Sequence, residues 1–133
     1  MILYSNERQG MTINYKSENR NDYIYLVGEG IEDGLDENKQ IHQMITKLCK
    51  DHNCDRVLID DQKVTYTASV LSIYQLAKYY TTSNIPRYIK RAAVVANPKY
   101  KETNIFFENT TRNRGINLRI FYDIEEAETW LTI

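Results

Sequence analysis

The chain has 133 residues, 42% of them hydrophobic and 26% charged, with a formal net charge of -1. That length buries one core without disulfides or metal, and the near-neutral charge removes the general electrostatic case for nucleic acid or an anionic membrane. No run approaches the ~20 apolar residues of a membrane span, and residues 1–22 are too polar for a secretory leader, so the cytoplasm is the expected compartment.

The opening ten residues, MILYSNERQG, carry little pattern, so residues 1–10 are expected to be flexible and a single domain to occupy 11–133. In residues 12–16, Ile13 and Tyr15 alternate with polar residues. Turn formers fill 17–22, and 23–27 reads as a second strand, giving a β-hairpin. Gly28 and Gly30 end that strand, and an acidic connection over 29–37 leads to Asp36 as a helix N-cap. Ile41, Met44, Ile45 and Leu48 then fall on one helical stripe, with Cys49 and His52 near its edge. The C-x4-C spacing of Cys49 and Cys54 fits neither a redox pair nor a zinc framework, and His42 and His52 lack the i,i+4 spacing of a helical metal pair. No metal or cofactor is expected.

Residues 56–60 form a short aliphatic strand of the kind found inside a parallel sheet. The spacing predicts a helix over 67–80, with Val70, Ile73, Tyr74 and Ala77 on one face and Leu71 widening it. So broad an arc suggests a helix lying flat on a sheet. Residues 81–84 end it, and Pro86 forbids continuation. A small-residue strand follows over 92–96. A helix is then expected over 99–114, its face formed by Tyr100, Phe106, Phe107 and Thr110 and its end marked by Gly115 at C′. Leu118, Ile120 and Tyr122 alternate with Arg119 and Phe121 in a last strand. Asp123 caps a final helix with Glu126 at N3, a capping-box arrangement, and Ala127, Trp130 and Leu131 form its stripe. The order is β-β-α-β-α-β-α-β-α. Strands joined by helices run parallel, and right-handed crossovers place those helices on a common side.

The familiar catalytic and phosphate-binding motifs are missing. Asp60 and Asp61 sit where a parallel strand ends, either as turn chemistry or as a carboxylate pair able to bind Mg²⁺. Thr65, Thr67 and Ser69 stand at the start of the following helix, as ordinary N-caps or as an anion or phosphorylation site. The basic and aromatic residues Arg87, Tyr88, Lys90, Arg91, Lys99, Tyr100, Lys101, Arg112 and Arg114 could face RNA, but acids intervene, and a solvated face fits the charge balance better. Tyr79 and Tyr80 at a helix end could contribute to a homodimer patch.

This layout resembles the STAS domain of sulfate transporters and anti-sigma factor antagonists, and in particular its SpoIIAA-like branch of small bacterial proteins, over nearly the whole chain from Met11. The stretch VLIDDQKVTYTAS, residues 57–69, is similar to the STAS pattern of apolar strand, Asp, short loop, Val-Thr-Phe, one apolar residue and Asp-Ser. The end, RGINLRIFYDIEEAETWL, resembles the branch's Gly, apolar strand with Phe, Asp, acidic pair, Ala and Trp-Leu. The resemblance implies an α/β fold with a mixed, mostly parallel five-stranded sheet in a β-α superhelix, its helices mainly on one side. It places Ser69 at the serine phosphorylated in anti-sigma factor antagonists. Ala68 stands where those proteins have Asp, and Leu71 where they commonly have Gly, so that phosphorylation motif is incomplete.

Two functions are expected. The first is a non-catalytic regulatory module that binds a protein partner through the loop 60–69, by Asp60, Asp61, Thr65, Tyr66 and Thr67. The alternative is a small apolar-ligand or lipid binder of Sec14-like type, its pocket lined by Tyr74, Tyr79, Tyr80, Tyr100, Phe106 and Phe107 on two neighbouring helices.

Overall fold

The computed structural model describes residues 2–5, 13–32, 34–67 and 69–133. Six strands lie side by side in chain order: β1 (Ile2–Ser5), β2 (Ile13–Asn19), β3 (Ile24–Glu32), β4 (Arg56–Tyr66), β5 (Arg91–Val95) and β6 (Leu118–Phe121). The first three pair antiparallel, and β3 to β6 pair parallel. The five expected strands are all present in a mixed, mostly parallel sheet. The sixth, β1, falls in the segment expected to be flexible. Ile2–Ser5 pair with the outer edge of β2, whose unpaired backbone groups would otherwise be a free template; residues 1 and 6–10 of that segment lie outside the described residues.

Helices α1 (Leu35–Asp51), α2 (Val70–Thr82), a single turn α3 (Ile85–Tyr88) and α4 (Lys101–Asn113) connect the parallel strands, and α5 (Ile124–Leu131) follows β6. Because each crossover advances one strand along the sheet, α1, α2 and α4 share one side. There Ile13, Ile24, Leu26, Val57, Ile59 and Val94 of the sheet meet Ile41, Ile45 and Leu48 of α1, with Phe107 of α4 against them. On the opposite face α5 alone packs Ala127 and Leu131 onto Tyr23, Leu58, Ala93 and Val95. Helices mainly on one side is therefore the observed arrangement.

Several element ends differ from the sequence reading. Gly28 and Gly30 do not end β3, which runs on to Glu32, and β4 continues through Tyr66 instead of stopping at Asp60. The two extensions pair with each other, which satisfies the backbone of both. Gly34, at φ 107°, takes the N-cap position of α1 in place of Asp36. Asp123 is the N-cap residue of α5, but its side chain makes no capping hydrogen bond. Gly115, at φ 83°, stands just past α4 as expected, where a left-handed residue ends a helix.

The most consequential difference concerns α2. It packs mainly on α1, α3 and α4 and does not lie flat on the sheet. Its apolar face, Leu76 and Tyr80 with Ile85 of α3, forms a separate cluster against Leu35 and Phe107. A space remains between α2 and the strands.

Candidate ligand-binding site

That space is a cavity of about 290 Å³, near the lower end of the ~300–1,000 Å³ usual for ligand pockets. Its buried walls are apolar, with Ile45 from α1, Ile59 from β4, Ile73 and Leu76 from α2, Val94 from β5 and Leu118 from β6. The exposed residues that line it, Gly34, Thr67 and Ser69, place its mouth at the carboxyl ends of β3 and β4. This is the edge at which α/β sheets ordinarily take ligands.

A bulge in β4 decides which side chains enter. Val27 pairs with Asp60 and Glu29 with Lys63, so three residue steps on β4 answer two on β3. Strict alternation after Ile59 and Asp61 would turn Lys63 and Thr65 inward. The extra residue reverses the phase, so Val64 and Tyr66 share the inward face with Ile59 and Asp61, while Lys63 and Thr65 are exposed.

Asp61, 8% exposed, accepts hydrogen bonds from the hydroxyls of Tyr15 at 2.7 Å and Tyr66 at 2.9 Å. Tyr15 is on β2, two strands away, and reaches Asp61 by lying across Gly28, its cross-strand neighbour on β3. A Cβ on Gly28 would stand 2.5 Å from Cε1 of the Tyr15 ring, so the missing side chain is what lets the ring pass. Burial pushes the Asp61 carboxyl up to about 6 against the lowering effect of its two tyrosine donors. Burial raises both phenols as well, and the Asp61 charge adds to the effect.

A second acid, Glu32 at the end of β3, lines the same cavity and accepts a 2.8 Å hydrogen bond from the Asn38 amide of α1. Burial pushes it up to about 7, with Asp61 contributing through its charge. Across the cavity the Tyr80 hydroxyl of α2 is hydrogen-bonded to Nε2 of His42 on α1, and the rings meet edge to face. Burial pulls His42 down to about 4, so the imidazole is neutral at ordinary pH. Among the described residues no lysine or arginine lines the cavity.

The expected site residues separate into several groups. Asp60–Tyr66 is strand and not loop, so the expected interaction loop shrinks to the short connection before α2. Asp61, Tyr66 and Thr67 line the cavity; Asp60 faces the other side, within 3.5 Å of the Tyr25 hydroxyl, and Thr65 is exposed. Ser69 is the N-cap of α2, its Oγ accepting the Ser72 N–H at 3.1 Å, while Thr67 donates to the Glu32 carbonyl at 2.7 Å. Of the expected pocket residues Tyr80 and Phe107 line the cavity, and Tyr100 does not. Tyr74 is exposed beneath the Arg114 guanidinium, Tyr79 is bonded to Gln43, and Phe106 is half-buried outside the lining. Tyr80 is 2% exposed and is therefore no part of a surface dimer patch. Cys49 and Cys54 are free thiols, and no group of metal-ligating side chains occurs among the described residues. No helix among the described residues is long and apolar enough to cross a membrane.

Tyr15, Glu32, Asn38 and His42 escaped the sequence reading as site residues. One usable signal was the alternating run Val64 to Tyr66 after Asp61, which continues the strand past the two acids.

No protein-family model matches the chain, and no curated protein matches it in sequence. Solved structures do match. An anti-sigma factor antagonist from Mycobacterium paratuberculosis superposes with a TM-score of 0.61 at 17% identity, over 91% of this chain and 95% of that one. An uncharacterised DUF3478-family protein from Shewanella loihica PV-4, described as having a SpoIIAA-like fold, gives 0.57 at 16% identity, over 90% and 93% of the two chains. The chain thus has a SpoIIAA-like fold, as expected from its sequence.

Proposed function

We propose that this domain is a non-catalytic binding module whose cavity takes a small, largely apolar ligand with one polar end. The observation that carries the reading is the cavity itself: aliphatic walls from α1, α2 and the sheet with Phe107 of α4, and a few buried polar groups converging at Asp61. Ligand sites usually have this form. Octanol, an uncharged probe of suitable size, is expected to shift the backbone amide resonances of Thr67, Ser72, Ile73 and Phe107 in a saturable titration. Unmoved resonances at millimolar octanol would refute the reading. Native mass spectrometry of protein purified from its own cell is expected to show a copurifying small molecule.

A separate observation favours a protein partner as the second reading. Val70, Leu71 and Tyr74 are 66%, 64% and 48% exposed and stand on the outer side of the first turns of α2, away from the cavity. The likeness to an anti-sigma factor antagonist, in fold alone, agrees with a regulatory role. In this reading a phosphate on Ser69 would place negative charge at the α2 N-terminus, where the helix dipole stabilises it. Mass spectrometry of peptides covering residues 64–78 from native protein is the direct check.

A further inference from the structure

We propose that the polar end of the ligand is a cation, so that the cavity takes a small amphiphilic amine: an alkyl or aryl body in the aliphatic part and an ammonium group beside Glu32 and Asp61. This rests on the cavity being a ligand site and specifies what the site prefers.

Charge complementarity inside a partly enclosed space favours a cation. Two carboxyl groups on neighbouring parallel strands, Glu32 at the end of β3 and Asp61 within β4, line one cavity and interact through their charges. Neither has a cationic partner among the described hydrogen bonds: Glu32 accepts from the neutral Asn38 amide, and Asp61 from two phenols. An ammonium group is a compact donor of three hydrogen bonds. It would supply the opposite charge that two buried carboxylates lack, which is the usual way buried charges are accommodated. A carboxylate or phosphate end would add a third negative charge to a site with no lysine or arginine among its described lining residues.

The strongest argument against this is the cluster of helix N-termini at the rim, whose partial positive charge favours anions. Asp36 and Glu37 in the first turn of α1 and Glu102 in that of α4 oppose that field, and the Ser69 side chain already occupies a free N–H of α2. Glu32 and Asp61 carry whole charges and line the cavity itself.

The remaining titratable groups of the lining leave this balance unchanged. Tyr15 on β2, Tyr66 on β4 and Tyr80 on α2 are all raised and stay neutral, and His42 on α1 is neutral above about pH 4. Outside the lining, Glu37 acts on Glu32 and Asp60 on Asp61, both with the same sign as the acids themselves. The α4 residues of the lining, Thr103, Asn104 and Phe107, carry no charge.

Three probes with the same chain separate the possibilities: octylamine, octanol and octanoate, titrated against the intact chain and followed by amide chemical shifts. Octylamine stays protonated from pH 5 to pH 8. At pH 8 it is expected to bind at least about tenfold more tightly than octanol, with octanoate weakest. Lowering the pH to 5 protonates both acids and is expected to remove that advantage while octanol binding changes less than about twofold. Glu32→Gln and Asp61→Asn keep the shape of the cavity; each is expected to reduce octylamine affinity several-fold and spare octanol. Octanoate binding as tightly as octylamine, or an octylamine preference that survives both pH 5 and the two substitutions, overturns the cationic end while octanol binding upholds the cavity. Failure of all three probes at both pH values overturns the cavity as a ligand site, and this inference with it.

Discussion

Glu32 shows how a single carboxyl can cost stability where it sits. Its unfolded value is near 4.5 and burial raises it to about 7, so between those values the folded chain holds a proton that the unfolded chain has released. Stability contributed at that position is therefore full below about pH 4.5 and is lost as the pH rises through about 7. Gln cannot ionise. The unfolding free energy of Glu32→Gln is expected to match the wild type near pH 4 and to exceed it by about 3 kcal/mol at pH 8, at about 1.4 kcal/mol per unit of pKa displacement. His42 has the opposite sign: lowered to about 4, it removes stability as the pH falls below about 6.5. That contribution is common to both proteins and cancels in their difference. A wild-type and variant pair whose difference is flat from pH 4 to pH 8 would show that Glu32 is solvated. Neither residue could be found from sequence. Glu32 lies in an acidic stretch that reads as a connection, and its burial arises only because β3 and β4 extend together past the two glycines.

At the scale of elements, β4 and α2 carry the site. The bulge at Asp61 turns an alternation that would expose Tyr66 into one that buries it, and a single added step in a strand has that effect on everything after it. Ser69 then starts α2 by accepting the Ser72 N–H. Ser69→Ala leaves that donor without its partner and is expected to cost about 1 kcal/mol, a fall of about 3–5 °C in Tm by thermal denaturation. Ser69→Asp is expected to avoid most of that loss, because its carboxylate can cap the same N–H and suits the helix dipole. The helix itself was legible from Val70, Ile73, Tyr74 and Ala77, although its contact was not. Ile73 and Ala77 are buried and Tyr74 is exposed, since the face turned inward meets α1, α4 and the cavity and not a flat sheet. Periodicity reports which residues share a stripe; it carries no information on how far away the opposing surface lies.

For the whole molecule, the sheet is covered unequally. Four helices stand over one face, and α5 alone covers the other, with Ala127 and Leu131 fully buried against Leu58, Ala93 and Val95. Small residues in the middle of β5 let this short helix approach closely. Leu131→Ala is expected to cost about 2–5 kcal/mol in denaturant unfolding, since among the described residues no second helix stands on that face to fill the space. A loss below about 1 kcal/mol would mean that the C-terminal turn relaxes onto the sheet. Arg56 and Arg91 bind that turn further, donating to the Leu131 and Trp130 carbonyls at 2.7 and 3.1 Å.

The main order of strands and helices after residue 11 and the parallel run of the last four strands were legible in the sequence, because hydrophobic period and turn residues are local properties; the SpoIIAA-like fold was what the resemblance of residues 57–69 and 114–131 implied. Asp61 drew notice in the sequence as one of two acids after an aliphatic run, although the strand end expected there lies at Tyr66. Tertiary structure alone decided that Asp61 faces a cavity, that Tyr15 reaches it across Gly28, and that Glu32 and His42 join it. Each of those depends on contacts between residues far apart in the chain, and on α2 being held off the sheet by its neighbours, which no local pattern records.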